Sequence, residues 1–248
     1  MQYGLIRRLI AEAVGTAILV LFGAGSVIAA LTIGEGHLDF AGVGFIALAF
    51  AIAIAVAVYG FLPVSGAHIN PAVTFALAVT RRFPWVEVVP YVVAQLIGGA
   101  VGGLLIVAAF GTKAIDLGGG ATTLGAGVSY GQGIVAEALG TFLLMFAVMA
   151  TAVDRRMPAG WAGLIIGLAA GAAIMVMLPL TGGSLNPART FGPDLALTLF
   201  GGTVHWEQFL LYWIGPLIGS VAAALVYDLV ARPRAANSAR RTDDAPCS

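Results

Sequence analysis

Charge is what this sequence has least of. Lysine and arginine number 12 and aspartate and glutamate 12, so one residue in ten of the 248 is charged, while 60% are hydrophobic. A water-soluble domain carries roughly 25% charged residues, and this chain cannot cover a water-facing surface with so few. It reads as a polytopic membrane protein whose solvent is the lipid bilayer. The formal net charge is zero, which leaves a nucleic-acid partner no electrostatic footing. Cysteine is nearly absent: Cys247 stands alone near the C-terminus, so no internal disulfide forms. No Cys/His cluster has zinc spacing, and His37, His68 and His205 are scattered. Neither a metal nor a cofactor is called for.

What is abundant is long apolar runs. They lie near residues 6–31, 42–62, 85–110, 130–152, 161–180 and 207–231, each long enough at roughly 20 residues to cross the hydrocarbon core. The first, with its basic start, looks like a signal peptide. Its AEAVGT (11–16) returns as AEALGT (136–141), however, and a repeated segment belongs to the mature fold. The run is therefore the first transmembrane helix.

Basic residues set the orientation. Arg7 and Arg8 precede the first run, Arg81 and Arg82 the third, Arg155 and Arg156 the fifth, and Arg232, Arg234, Arg240 and Arg241 follow the sixth. Threading six spans puts all of these on one side and Lys113 on the other. The positive-inside rule makes that side cytoplasmic, with both termini there; a plasma (inner) membrane is expected. Trp85, Trp161 and Trp206 open spans, where interfacial tryptophans anchor.

The two halves match, Glu12 with Glu137 and NPAVTFALA (70–78) with NPARTFGPDLA (186–196). Three spans per half is an odd number, so the second copy enters from the opposite side. Inverted repeats of this kind place their site near the midplane, where short interrupted segments meet. One channel domain over 1–231 is expected, with repeats near 5–110 and 130–231. The polar, aperiodic residues 232–248 read as a disordered cytoplasmic tail.

Each repeat also breaks its own helices. Asparagine favours the N-cap and proline the first helical position, so Asn70-Pro71 and Asn186-Pro187 each start a helix. About ten residues separate Asn70 from Arg81, or ~15 Å at 1.5 Å per residue, which is half a bilayer. Two half-helices meeting N-terminus to N-terminus concentrate positive potential and oppose cations. If the asparagine oxygens cap their helices, the amide N–H groups are free to face a passage.

With two Asn-Pro-Ala motifs (Asn70, Pro71, Ala72 and Asn186, Pro187, Ala188), paired glutamates and an inverted repeat, the chain resembles the aquaporin and aquaglyceroporin (major intrinsic protein) family. The likeness runs from about residue 5 to 231 and points to the water-channel branch of a bacterial or archaeal type. It implies an all-α membrane protein of six transmembrane helices and two re-entrant half-helices, an inverted 3+3 repeat. It further implies a homotetramer in the bilayer, with one pore per protomer passing water and small neutral solutes but neither ions nor protons. Glu12 and Glu137 would hold loop backbones inside the protein, since unpaired carboxylates at that depth are costly. Carbonyls of Gly66, Ala67, His68 and Ile69, and of Gly182, Ser184 and Leu185, would line the path.

In the family Arg189 stands at the narrowest constriction, and distance from the two asparagines places Phe50, Ile174 and Gly183 around it. Phe50 agrees with water-selective members, whereas glycerol facilitators usually carry Trp there. Ile174 departs from the His of strict water channels, and Gly183 from their Thr or Cys. The expected filter is wider and more apolar on one wall, so glycerol would pass to some degree beside water. Thr190, Asp194 and the pair Tyr212-Trp213 favour the water branch. With no cysteine at 183, mercurial reagents are not expected to block flux.

Other readings stay in view. A secondary active transporter shares inverted repeats but needs a titratable midplane site, for which Glu12 and Glu137 are the candidates. A purely structural membrane protein needs no interrupted helix. No nucleophile–base pair points to an enzyme. His68 near the cytoplasmic mouth could sense pH. Glycines at helical spacing (Gly98/Gly102, Gly99/Gly103, Gly163/Gly167/Gly171, Gly215/Gly219) read as close helix packing.

Overall fold

A computed structural model describes residues 3–231. The expected tail and Cys247 lie outside the described residues. Six helices are long and apolar enough to cross a membrane: α1 (Leu5–Ile33), α2 (Phe40–Ser65), α4 (Trp85–Phe110), α5 (Tyr130–Val153), α6 (Ala162–Thr181) and a last one within Trp206–Ala231. That last helix is α8 (Leu211–Ala231). Two shorter helices start at the Asn-Pro pairs, α3 (Pro71–Val79) and α7 (Pro187–Leu199), and a single turn spans Thr112–Asp116. The chain is a multi-pass membrane protein, and its helix bounds fall within four residues of those read from the apolar runs.

Local chemistry sets where the helices start and stop. Asp39 caps α2, its carboxylate accepting from Gly42 N at 2.8 Å, and Ser129 with Gln132 forms a capping box on α5. α2 and α6 both end at a left-handed glycine, Gly66 (φ 91°) and Gly182 (φ 77°), a conformation that costs a Cβ-bearing residue more. α1 and α5 each contain a π-helical stretch, Leu19–Ala24 and Met149–Val153.

Glycine lets the helices touch backbone to backbone. A Cβ on Gly98 of α4 would sit 2.1 Å from Ala13 O of α1, and one on Gly219 of α8 would sit 2.0 Å from Ala138 O of α5. α4 also meets the second half-helix, where a Cβ on Gly99 would lie 2.3 Å from Ala188 O. α2 crosses α6 at Gly167, against Ala51 O. These contacts assign the glycine repeats to packing. The outer faces are apolar: Ile52, Ile97, Leu139 and Ile218 are each more than half exposed, a cost in water but not against lipid.

Three arginine ion pairs gather at one end. Arg8 pairs with Glu87 and donates from Nε to Tyr91 Oη at 2.9 Å. Arg82 pairs with Asp228 at the end of α8, at 2.9 and 2.5 Å. Arg156 pairs with Asp154 and donates to Ala231 O at 2.7 Å. Hydrogen bonds from Arg156 hold the Asp154 carboxyl well below its ordinary range.

Candidate functional site

Between the end of α2 at Ser65 and the start of α3 at Pro71 lie five residues, and Glu12 of α1 gathers donors there. Its carboxylate accepts from Ser65 Oγ (2.6 Å), His68 N (3.0 Å), Ile69 N (2.6 Å) and Gln95 Nε2 (2.8 Å). Glu137 of α5 does the same for the loop before α7, accepting from Thr181 Oγ1 (2.6 Å), Ser184 N (2.9 Å) and Leu185 N (2.6 Å). Both glutamates are fully buried, and buried charge is tolerated when donors surround it.

That arrangement fixes where the carbonyls point. A trans peptide sets each C=O opposite the next N–H. With the N–H groups of 68 and 69 turned to Glu12, the carbonyls of Ala67 and His68 face away from it. By the same logic those of Gly183 and Ser184 face away from Glu137. Consecutive donors on one side demand left-handed backbone: Ala67 (φ 45°), Ile69 (φ 44°) and Leu185 (φ 58°) adopt it, as do Gly66, Gly182 and Gly183. A β-branched residue such as Ile69 seldom does so, and strain held this way clusters at functional sites.

The half-helices meet at their N-termini. Asn70 Oδ1 accepts from Ala72 N at 2.9 Å, and Asn186 Oδ1 from Ala188 N at 3.0 Å and Arg189 N at 3.4 Å. The expectation that both amide groups are wholly free needs correcting. Asn70 Nδ2 donates to Leu185 O, and Asn186 Nδ2 to Ile69 O, each at 2.8 Å. The two loops approach so closely that each asparagine reaches the other repeat's carbonyl, leaving one N–H per side chain. Pro71, Ala72, Pro187 and Ala188 are buried in the first turns.

Arg189 is buried. Its Nη1 donates to Gly120 O at 2.7 Å, its guanidinium lies over the Phe50 ring at 5.0 Å, and its Nε has no protein partner. Gly183 faces Ile174, where a Cβ on the glycine would lie 3.3 Å from the isoleucine Cα. The four residues around which a constriction was expected thus fall into two touching pairs. Thr190 bonds Ser184 Oγ (2.6 Å) and Thr122 Oγ1 (2.9 Å). Asp194 and Tyr212 are buried, and Tyr212 Oη donates to Thr181 O at 2.8 Å.

On the side of the asparagines that holds Arg82 lies a cavity of about 230 Å³ lined by, among others, Gly66, Ala67, His68, Val73 and Arg82. His68 is pinned there, its Nδ1 3.1 Å from Thr74 Oγ1 and its ring 4.8 Å from that of Phe83. Several supports escaped the sequence reading: Gln95, Gly120, Thr122 and the pairs Ser65/Thr181, Thr74/Thr190 and Tyr91/Tyr212, of which Thr190 and Tyr212 stand there only as marks of the water branch. The first two pairs recur in the register of the asparagines and the tyrosines five residues out of it, so superposing the halves helix by helix could have found them; Gly120 leaves only its GGG run (118–120) as a signal.

Comparison with known proteins agrees in family. The family model described as major intrinsic protein matches residues 1–227. A probable aquaporin AqpM of Archaeoglobus fulgidus is 50% identical across 94% of this chain and 100% of its own length. The aquaporin AqpM of Methanothermobacter marburgensis is 46% identical, covering 90% of this chain and 96% of its own. Among solved structures, the aquaglyceroporin from Plasmodium falciparum superposes with a TM-score of 0.78 at 24% identity, over 92% of this chain and 97% of that one. At that identity the likeness speaks for the fold alone.

Proposed function

The chain belongs to the major intrinsic protein family, and we propose that it works as a passive channel for water that also admits glycerol or similarly small neutral solutes. The observation that carries this reading is the meeting of two capped half-helices, each asparagine donating across the repeat boundary at 2.8 Å. Two helix N-termini brought together make a centre of positive potential that repels cations and protons. Each asparagine keeps one N–H for a passing solute. The carbonyls of Ala67, His68, Gly183 and Ser184, turned from their glutamates, supply acceptors on either side, with those of Gly66, Ile69, Gly182 and Leu185 extending the rows.

Arg189 then stands at the narrow point with Phe50, Ile174 and Gly183. Its buried Nε lacks a protein acceptor, and a polar solute supplies one. The wall made by Ile174 and Gly183 holds no polar side chain and no bulk at position 183, so a three-carbon polyol finds both space and apolar surface. A secondary active transporter would need a carboxylate free to change its proton. Glu12 and Glu137 instead serve four and three donors, which argues for a structural part.

The same reading takes residues 1–231 as one channel domain assembled as a homotetramer in the plasma membrane. The arginine-rich end faces the cytoplasm by the positive-inside rule. Stopped-flow light scattering on proteoliposomes tests the function. With sucrose outside, vesicles holding the protein are expected to shrink faster than empty ones; with glycerol they are expected to re-swell faster. No acceleration with either osmolyte would refute the channel, and acceleration with sucrose alone would refute the wide filter.

A further inference from the structure

We propose that Gly23, on the π-helical turn of α1, sets the width of the passage by giving the Phe50 ring room to stand back from Arg189. The inference rests on the reading above, in which Phe50 and Arg189 frame the narrow point.

Gly23 packs its backbone against the ring. A Cβ built on it would lie 2.4 Å from both Cδ1 and Cε1 of Phe50 and 3.0 Å from Cγ. Carbon atoms in contact sit about 3.5–4.0 Å apart, so even one methyl group must displace the ring by about 1 Å. Phe50 is buried, with α1 behind it and the Arg189 guanidinium over it at 5.0 Å. A push from α1 therefore drives the ring towards Arg189 and into the passage.

The local backbone is built for this. Gly23 lies within the π stretch Leu19–Ala24, and single π turns inside α-helices concentrate at functional sites. The next residue backs the other partner of Arg189. Ala24 O would be 2.4 Å from a Cβ on Gly120, whose φ is +75° and whose carbonyl accepts from Arg189. One π turn thus supports both the ring and the carbonyl that hold the guanidinium. Gly23 is a positioning residue: it acts on the solute only through Phe50.

The test measures the glycerol-to-water permeability ratio in proteoliposomes for the parent, Gly23→Ala, Phe50→Leu and the double variant. Gly23→Ala is expected to lower the ratio by about tenfold, the scale of one added carbon in a fitted apolar pocket. Phe50→Leu is expected to raise it, and the double variant to match Phe50→Leu, because no ring remains to be pushed. An unchanged ratio in Gly23→Ala while Phe50→Leu shifts it overturns the role of Gly23 and leaves the filter reading intact. A Phe50→Leu protein with the parent's ratio, or a parent that passes water alone, overturns both. If Gly23→Ala does not fold, the double variant is compared with Phe50→Leu: equal ratios support the inference, and a lower ratio in the double variant overturns it.

Discussion

The two mouths of the passage, outer on the Arg189 side and inner on the His68 side in the orientation proposed above, are built from the same repeat and end up chemically unlike. Carrying the register of Asn70 onto Asn186 sets Phe50, Ile174, Gly183 and Arg189 against Ile166, Val58, Ala67 and Val73. All four inner counterparts line the cavity of about 230 Å³ beside His68. Where the outer set has an arginine over a phenyl ring, the inner set has valine and isoleucine. Both loops are held by a buried glutamate, both turn through left-handed backbone, and both turn their carbonyls away from that glutamate. The scaffold is thus duplicated while the selectivity is not. In the proposed reading narrowness and charge belong to one mouth only, to which the first repeat lends Phe50 and the second Ile174, Gly183 and Arg189.

The largest expected effect comes from breaking the shared scaffold. Removing a carboxylate strands its buried donors at about 1 kcal/mol or more each. Glu12→Ala, with four donors, is therefore expected to cost about 4 kcal/mol and Glu137→Ala about 3 kcal/mol. Thermal unfolding in detergent should rank them in that order below the parent. The reverse order would mean that the inner loop leans less on its glutamate than the contacts say.

A smaller change makes the outer mouth a copy of the inner one. Arg189→Val is expected to raise the glycerol-to-water permeability ratio by about tenfold without loss of folded protein. An unchanged ratio would move the constriction elsewhere.

The smallest effect lies at the inner rim, where Asp154 faces Arg156. Its carboxyl is held below the ordinary range by that partner, so whatever stability it lends is complete above the unfolded pKa of about 3.9. It is lost only as pH falls through the lower folded value. The melting difference between parent and Asp154→Asn should stay constant from about pH 8 to pH 5 and shrink only in stronger acid. A difference that changes near neutrality would point to another group.

Much of this was legible in the sequence for a physical reason. Apolar run length gives the spans because lipid demands it, and Asn-Pro gives the half-helix starts because each residue type suits its position. Both are local signals. Pairing across the repeat was not local: that Asn70 reaches Leu185 O, or that Gly23 touches Phe50, depends on which backbones meet. Gln95 shows the limit well. It bonds both Glu12 and Thr74 from α4, yet aligning Tyr91 with Tyr212 sets Pro216 against it, so no glutamine recurs in the second half to flag it. The asparagine amides read as free because a single capped helix leaves them so, and only the loop carbonyl of the other repeat, Leu185 O or Ile69 O, takes one N–H from each.

The measurement that bears most directly on the division between the two mouths is a matched pair of substitutions. Histidine is placed at Ile174 of the outer set and at Val58 of the inner, and the glycerol-to-water permeability ratio is measured by stopped flow in proteoliposomes. Ile174→His is expected to lower the ratio by about tenfold, while Val58→His leaves it near the parent's value. Equal falls for both variants, or a fall for Val58→His alone, would contradict the claim that the outer residues alone choose the solute.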